Sequence, residues 1–251
     1  MKIFNIFCDA SVGPELRGAC SGVLVEQTHL NDEGGKLSQV IDKKDFYALI
    51  QPNGTNNSGE VAAVCLGIIQ AINIWYILVS NGENDAVFNL FSDSLITING
   101  LREWLPGWVA RSREDKEGRW YNSSGKLVKN QEYFKYVYNL IIMNPNFRIH
   151  LYHQDGHITS NFDQILPRFR QFNGIYLSDL CMSAAHICIN NDTVDRESRR
   201  IINSYLNNGD TCGYPIEITF DNGEPGFPKR YAAIDSSNNA IRSYLKSICK
   251  V

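Results

Sequence analysis

Residues 87–94, VFNLFSDS, form a short apolar run that stops on Asp93, the pattern of a buried strand that delivers a polar side chain at its end. LITINGLREWLPGW at 95–108 then carries apolar residues at helical spacing as far as Pro106, which is expected to close the helix. Residues 111–130 are a polar, charged excursion with turn chemistry at Ser124-Gly125, and QEYFKYVYNLI resumes as a helix. A carboxylate at the mouth of a buried strand is costly unless it is paired or holds a metal. Asp93 therefore directs attention to other acids delivered in the same way.

Upstream, Ile3 to Cys8 is an apolar run suited to a buried strand, and Asp9 follows it directly. GACSGVLV at 18–25 reads as a second strand, Asn31 to Lys36 as a polar turn, and DFYALIQP as a third strand stopped by Pro52. From Ser58 a helical pattern runs through Val61, Val64, Cys65, Ile68 and Ile72 towards Val79, with Glu60 in its first turn, and Asn81-Gly82 ends it. Downstream of the second helix, FRIHLYH is a strand that ends at His153. Three strands joined by short turns, followed by strands alternating with helices, predict an α/β fold with a mixed sheet and helices on its faces.

Composition bounds the function. The chain has 251 residues, 43% of them hydrophobic and 20% charged, enough for a large core. Seven cysteines without a CxxC pair argue against a disulfide framework or a zinc site, and a reduced, cytoplasmic chain is expected. The apolar run before Asp9 is too short for a signal peptide. No membrane association is expected, since no run is read as approaching the ~20 residues that a bilayer span needs. A formal charge of −3 argues against a wholesale basic nucleic-acid binder but leaves room for a local patch. Residues 102–135 hold eight Lys and Arg against five Asp and Glu, which fits either a phosphate-tracking surface or a solvated loop.

Taken in order, these residues resemble the type 1 ribonuclease H family, endonucleases that cut the RNA strand of RNA/DNA hybrids. CDAS at 8–11 resembles the family's opening TDGS, and GACSGVLV its glycine-bearing second strand. TNNSGEVAA at 55–63 resembles TNNRMELMA, with Asn56, Asn57 and Glu60 in register. SDSLITINGLREWLPGW resembles the strand and helix that carry the third acid, including Trp104 and Trp108, and GKLVKNQEYF the segment after the family's basic protrusion, with Lys129 and Asn130 in place. The resemblance covers about residues 1–190 and implies a ribonuclease H-like fold, with a five-stranded mixed sheet flanked by helices. The remaining residues, 191–251, then form a C-terminal extension of helix, hairpin and closing helix.

The resemblance also implies a site. Asp9, Glu60, Asp93 and a fourth acid would hold two Mg²⁺ ions, with Mn²⁺ as the alternative, and the products would carry a 5′-phosphate. Two such ions roughly 4 Å apart can make water nucleophilic and stabilise the leaving oxygen of an in-line displacement, and they need only a few hard oxygen ligands. DLCMSAA resembles the start of the helix that carries the fourth acid, which assigns Asp179 and leaves an insertion at about 158–178; Asp155 and Asp163 compete for the role. The family's GHxGH becomes HQDGH here, so His153, directly after the strand, is favoured over His157 as the loop histidine. Ser11, Asn56, Asn57, Trp104, Lys129 and Asn130 would contact an RNA/DNA hybrid, the two asparagines in the minor groove where the 2′-hydroxyl marks RNA. No protein partner is implied.

Plainer readings stand beside these. Any one of the 27 acids taken alone is a solvated surface group, Asn56-Asn57 alone is a turn, and Trp104 and Trp108 at i, i+4 are core packing. Leu95 replaces the family's frequent Gln. A non-catalytic module that binds hybrids on the same fold is therefore the second reading. A nuclease of related fold that cuts DNA junctions is the third, and the intact NNSGE segment argues against it.

Overall fold

The computed structural model describes residues 1–14, 18–112, 117–154, 156, 171–172, 175–176, 182–214, 219–221 and 224–226. Its centre is a five-stranded sheet made of β1 (Lys2–Val12), β2 (Ala19–Glu33), β3 (Lys36–Gln51), β4 (Ala86–Ser92) and β5 (His150–His153), in the order β3-β2-β1-β4-β5. β1, β2 and β3 pair antiparallel, whereas β4 and β5 join parallel to β1. This is the mixed sheet expected from the sequence.

The first hairpin is longer than its apolar runs indicated. β2 and β3 continue through the polar residues 26–33 and 36–45, and the turn shrinks to Gly34-Gly35 with φ of +67° and +87°. Two consecutive left-handed residues make the two-residue turn whose twist suits a hairpin. Cross-strand pairing carries the strands beyond the point where apolar periodicity fades.

α1 (Asn56–Ser80) fills one face of the sheet. Thr55 caps it by accepting from the Ser58 amide, and the Ser58 hydroxyl accepts from the Thr55 amide in return. The helix thus starts two residues earlier than the apolar pattern did, and Glu60 lies in the second turn rather than the first. α1 is long and apolar enough to span a bilayer, with a mean hydropathy of 2.0 over its most apolar window, contrary to the expectation that no run comes close. Most of that window is buried inside the fold. It packs with the inward residues of β1 and β4, including Ile6, Cys8, Phe88 and Leu90, as the core helix.

Pro106 does not close the helix after β4. α2 (Leu95–Asn99) widens into a π-helical turn at Gly100–Trp104, where the Leu105 amide donates to the Gly100 carbonyl, and α3 (Leu105–Ser112) carries on. A wider turn next to the proline accommodates its missing N–H and its bulk, which a regular α-helix could not do without a kink. α4 (Gln131–Met143) returns against α1.

The opposite face of the sheet is covered by α5 (Ala184–Asn208), one 25-residue helix that runs straight through the division drawn at 190/191. Ile187 and Val194 pack with Phe7, Leu24, Phe91 and Tyr152, and Ile201 and Ile202 pack with Cys20, Ala48 and Ile50. Near its start His186 Nε2 meets Glu26 Oε2 at 2.6 Å, and Lys44 Nζ meets Glu26 Oε1 at 2.5 Å. Burial pushes the Glu26 carboxyl up, but these two partners outweigh it and hold the group below the usual carboxylate range. Two short hairpins complete the described chain: β6 (Gln171–Phe172) with β7 (Ile175–Tyr176), inside the inserted segment, and β8 (Thr219–Asp221) with β9 (Glu224–Gly226).

Candidate active site

The site forms where the C-terminal ends of β1 and β4 lie side by side. In β1, Phe7 packs under α5 and Cys8 under α1, so Asp9 points towards α5 by strand alternation. β1 and β4 run parallel in register as far as Cys8↔Ser92, which places Asp9 and Asp93 next to each other just beyond the last pair. Asp9 is only 5% exposed. Its Oδ1 accepts from the Ala10 amide at 2.7 Å and its Oδ2 from Asn191 Nδ2 at 3.2 Å.

Burial pushes the Asp9 carboxyl up to about 9, and the negative charges of Asp93, Asp195 and Glu60 add to the rise. Asp93, Asp195 and Glu60 thus stand near enough to Asp9 for their charges to act on its carboxyl. Glu60 reaches the site from the second turn of α1, where its Oε1 accepts from Asn56 Nδ2 at 2.6 Å. Among the described residues, no three acids, histidines or cysteines stand close enough together to enclose an ion by themselves.

Asp195 and Asn191 were missed by the sequence reading, which placed residues beyond 190 in an extension. They lie at i, i+4 on α5. The inward stripe of that helix runs through Ile187, Asn191, Val194, Ser198 and Ile201, all buried. Polar residues inside an otherwise apolar stripe were the available signal. Asp195 also pairs with Arg199, whose Nη2 stands 3.0 Å from Asp195 Oδ2, and Arg199 Nε donates to Ser11 Oγ at 3.3 Å. Ser11 is thus turned inward onto α5. Asp179, Asp155, Asp163 and His157 lie outside the described residues.

The segment after β5 closes over Asp93. His153 Nε2 is 3.2 Å from the Asp93 backbone carbonyl, and the Gln154 amide donates to the Ser92 carbonyl at 3.0 Å. A Cβ on Gly156 would stand 2.2 Å from Asp93 Oδ2. Only glycine lets this loop approach the carboxylate so closely.

The other expected contacts fall nearby. Asn56 and Asn57 are exposed at the start of α1. Trp108 is buried, whereas Trp104 is 40% exposed, so the pair divides into one core residue and one surface residue. Trp104, Arg111, Lys126, Lys129 and Phe134 line a cleft of about 710 Å³ between α3 and the residues that precede α4. Asn130 sits at the N-terminus of α4 in the left-handed region, φ +53°, without a side-chain cap bond.

The donors around Asp9 are hard oxygens of the kind a divalent cation takes. Asp9, Glu60, Asp93 and Asp195 supply carboxylate oxygens, and crowded carboxylates that repel one another are what such a cation relieves. Asn191 Oδ1 and Gln154 Oε1 are buried oxygens without a hydrogen-bond partner. The donor set fits Mg²⁺ or Mn²⁺ and has none of the thiolate or clustered imidazole character that other metals favour.

The RNase H family model matches residues 1–164. "Ribonuclease H1" of Mus musculus is 35% identical over 80 residues, which span 32% of this chain and 22% of the mouse protein. "Ribonuclease H" of Wolbachia pipientis wMel is 30% identical over 127 residues, 49% of this chain and 69% of that protein. Among solved structures, a type 1 RNase H with the type 2 active-site motif overlays with a TM-score of 0.42 at 15% identity, covering 76% of this chain and 85% of that one. The matched stretch is about a fifth of the mouse protein's length, whereas the family model takes in β1 to β5 and three of these four acids. With Asp9, Glu60 and Asp93 inside the matched region, this chain belongs to the RNase H family.

Proposed function

We propose that this protein is a metal-dependent endonuclease that hydrolyses the RNA strand of RNA/DNA hybrids and leaves 5′-phosphate products. The observation that carries the reading is the placement of the buried Asp9 beside Asp93 at the parallel ends of β1 and β4, where the charges of Asp93, Asp195 and Glu60 act on its carboxyl. No structural need explains such a cluster, because burying one acid among others costs stability. Functional sites are where such costs are retained.

Asp9, Glu60 and Asp93 would hold the cations together with one acid that follows β5. Asp195 is our choice for that acid because its charge acts on Asp9, and Asp179 is the competitor. When bound, the two cations supply a nucleophilic water and stabilise the leaving oxygen. The chain's own groups prepare the site. Asn191 fixes the orientation of Asp9 Oδ2, Arg199 restrains Asp195, and the loop at Gly156 keeps bulk water off one side of Asp93. The exposed Trp104 offers a flat face for a sugar or base, while Arg111, Lys126 and Lys129 attract phosphates. Asn57, exposed beside Asn56 at the start of α1, and Asn56, tied to Glu60, are placed to meet a minor groove, where the 2′-hydroxyl separates RNA from DNA.

The reading is tested with an end-labelled hybrid beside duplex DNA and duplex RNA, in Mg²⁺ and in chelator. Cleavage confined to the RNA strand of the hybrid, and abolished by chelator, is expected. Tight hybrid binding without cleavage in Mg²⁺ or Mn²⁺ would favour the binding-module reading instead. Gly156→Ala should raise the half-saturating Mg²⁺ concentration for cleavage about tenfold, or ~1.4 kcal/mol, because a Cβ there meets the Asp93 carboxylate at 2.2 Å. An unchanged Mg²⁺ dependence would show that the loop does not constrain Asp93.

A further inference from the structure

Over Gly22, α5 lies closer to the sheet than it could above a position that carries a side chain. In the antiparallel pairing of β1 with β2, Gly22 is directly opposite Asp9, so the two positions share the face that α5 covers. A Cβ on Gly22 would stand 2.2 Å from Ser198 Oγ, 2.9 Å from Val194 Cγ1 and 3.1 Å from Phe46 Cζ. Val194 and Ser198 are both buried, and they lie either side of Asp195 along the helix. Two polar ties hold the same length of α5 to β1: Asn191 Nδ2 to Asp9 Oδ2 at 3.2 Å, and Arg199 Nε to Ser11 Oγ at 3.3 Å.

We infer that Gly22 is a positioning residue for the carboxylate site. Its missing side chain sets the height of α5 above β1, and that height sets how far Asp195 and Asn191 stand from Asp9. The affinity of the site for a divalent cation depends on that separation, because Coulomb and ligand interactions fall steeply with distance in a buried environment. The inference rests on the reading that Asp9 holds a cation. A side chain at position 22 would lift α5 at the turn that carries Asp195, whereas the distant contacts at Ile201 and Ile202 could stay in place.

A residue that only packs would alter stability and leave cation affinity alone, so the deciding readout is Mg²⁺ binding by titration calorimetry on the full, folded chain. Gly22→Ala should weaken the Kd for Mg²⁺ about tenfold. Ser198→Ala alone should bind as the wild type does. Added to Gly22→Ala, it should recover part of the lost affinity, because it removes the atom nearest the new methyl group and leaves only the milder contact with Val194 Cγ1 at 2.9 Å. Gly100→Ala is the packing control: a Cβ there meets Phe134 at 2.8 Å, remote from the acids, and should cost stability without changing the Kd. Wild-type affinity in Gly22→Ala would overturn the inference, as would a loss that Ser198→Ala does nothing to repair. If Gly22→Ala does not fold, as judged by circular dichroism, Ser198→Thr crowds the same gap from the helix side, and wild-type affinity in that variant would overturn the inference equally. Asp9→Asn separates the two levels of the argument: undiminished Mg²⁺ binding there would sink the cation reading itself, whatever Gly22→Ala does.

Discussion

Asp9→Asn will lower hybrid cleavage on the order of 10³-fold and will at the same time make the metal-free protein more stable. The two effects have one origin. The Asp9 carboxyl is raised to about 9 in the folded chain, from an ordinary value of 3.8. Between those values the folded state binds the proton more tightly than the unfolded state, so the stability of the metal-free protein falls as pH rises through that window. Asparagine has no proton to lose. At pH 7–8 the variant should gain about 2 kcal/mol, a rise in Tm of about 4–8 °C. The gain should shrink to a small remainder near pH 4 and vanish towards about pH 3, where aspartate is protonated in both states. Thermal denaturation in chelator across pH 4–9 measures this directly. A variant no more stable than wild type at pH 8 would contradict the electrostatic account of the site, and retained cleavage would contradict the catalytic one. In the wild type, Mg²⁺ binding near pH 7 should expel close to one proton, which calorimetry in buffers of different ionisation enthalpy would register.

The second large effect concerns the acid that follows β5. Asp195→Asn should cost about 10²-fold in cleavage, with little loss of stability, since its Arg199 partner is 58% exposed and a pair of that kind contributes little. Asp179→Asn should stay within about twofold of wild type, as expected for an acid that holds no cation. The reverse ranking in single-turnover cleavage at saturating Mg²⁺ would return the role to Asp179 and make Asp195 a stabiliser of α5.

The first three acids were legible because strand ends and a helix start carry strong local signals. Asp9 and Asp93 each terminate an apolar run, and Glu60 sits just inside a capped helix. The mixed character of the sheet followed from the same runs. What sequence alone obscured depends on contacts between distant segments. The hairpin of β2 and β3 extends through polar residues because each strand supplies the other's hydrogen bonds, which no periodicity reports. Pro106 reads as a helix stop, yet a wider turn before it lets the helix continue. Asp195 was hidden because α5 mixes apolar and polar residues on its buried face, and the polar ones belong to the site rather than to the surface. Gly22 and Gly156 have no side chain to read, and their part in the site is the space they leave.

The character of α1 bears on how this chain is made. It packs against β1, β2, β3, β4, α2 and α4, and three of those six partners follow it in the sequence. When Ser80 has left the ribosome, the first three strands can already pair and shelter one flank of the helix, while the flank that belongs to β4 and α4 is still bare. The growing polypeptide then displays a greasy segment of about 25 residues until some sixty more have been added. This interval is when holdase chaperones should be most needed, and fragments ending between residues 80 and 140 should precipitate where the full chain does not.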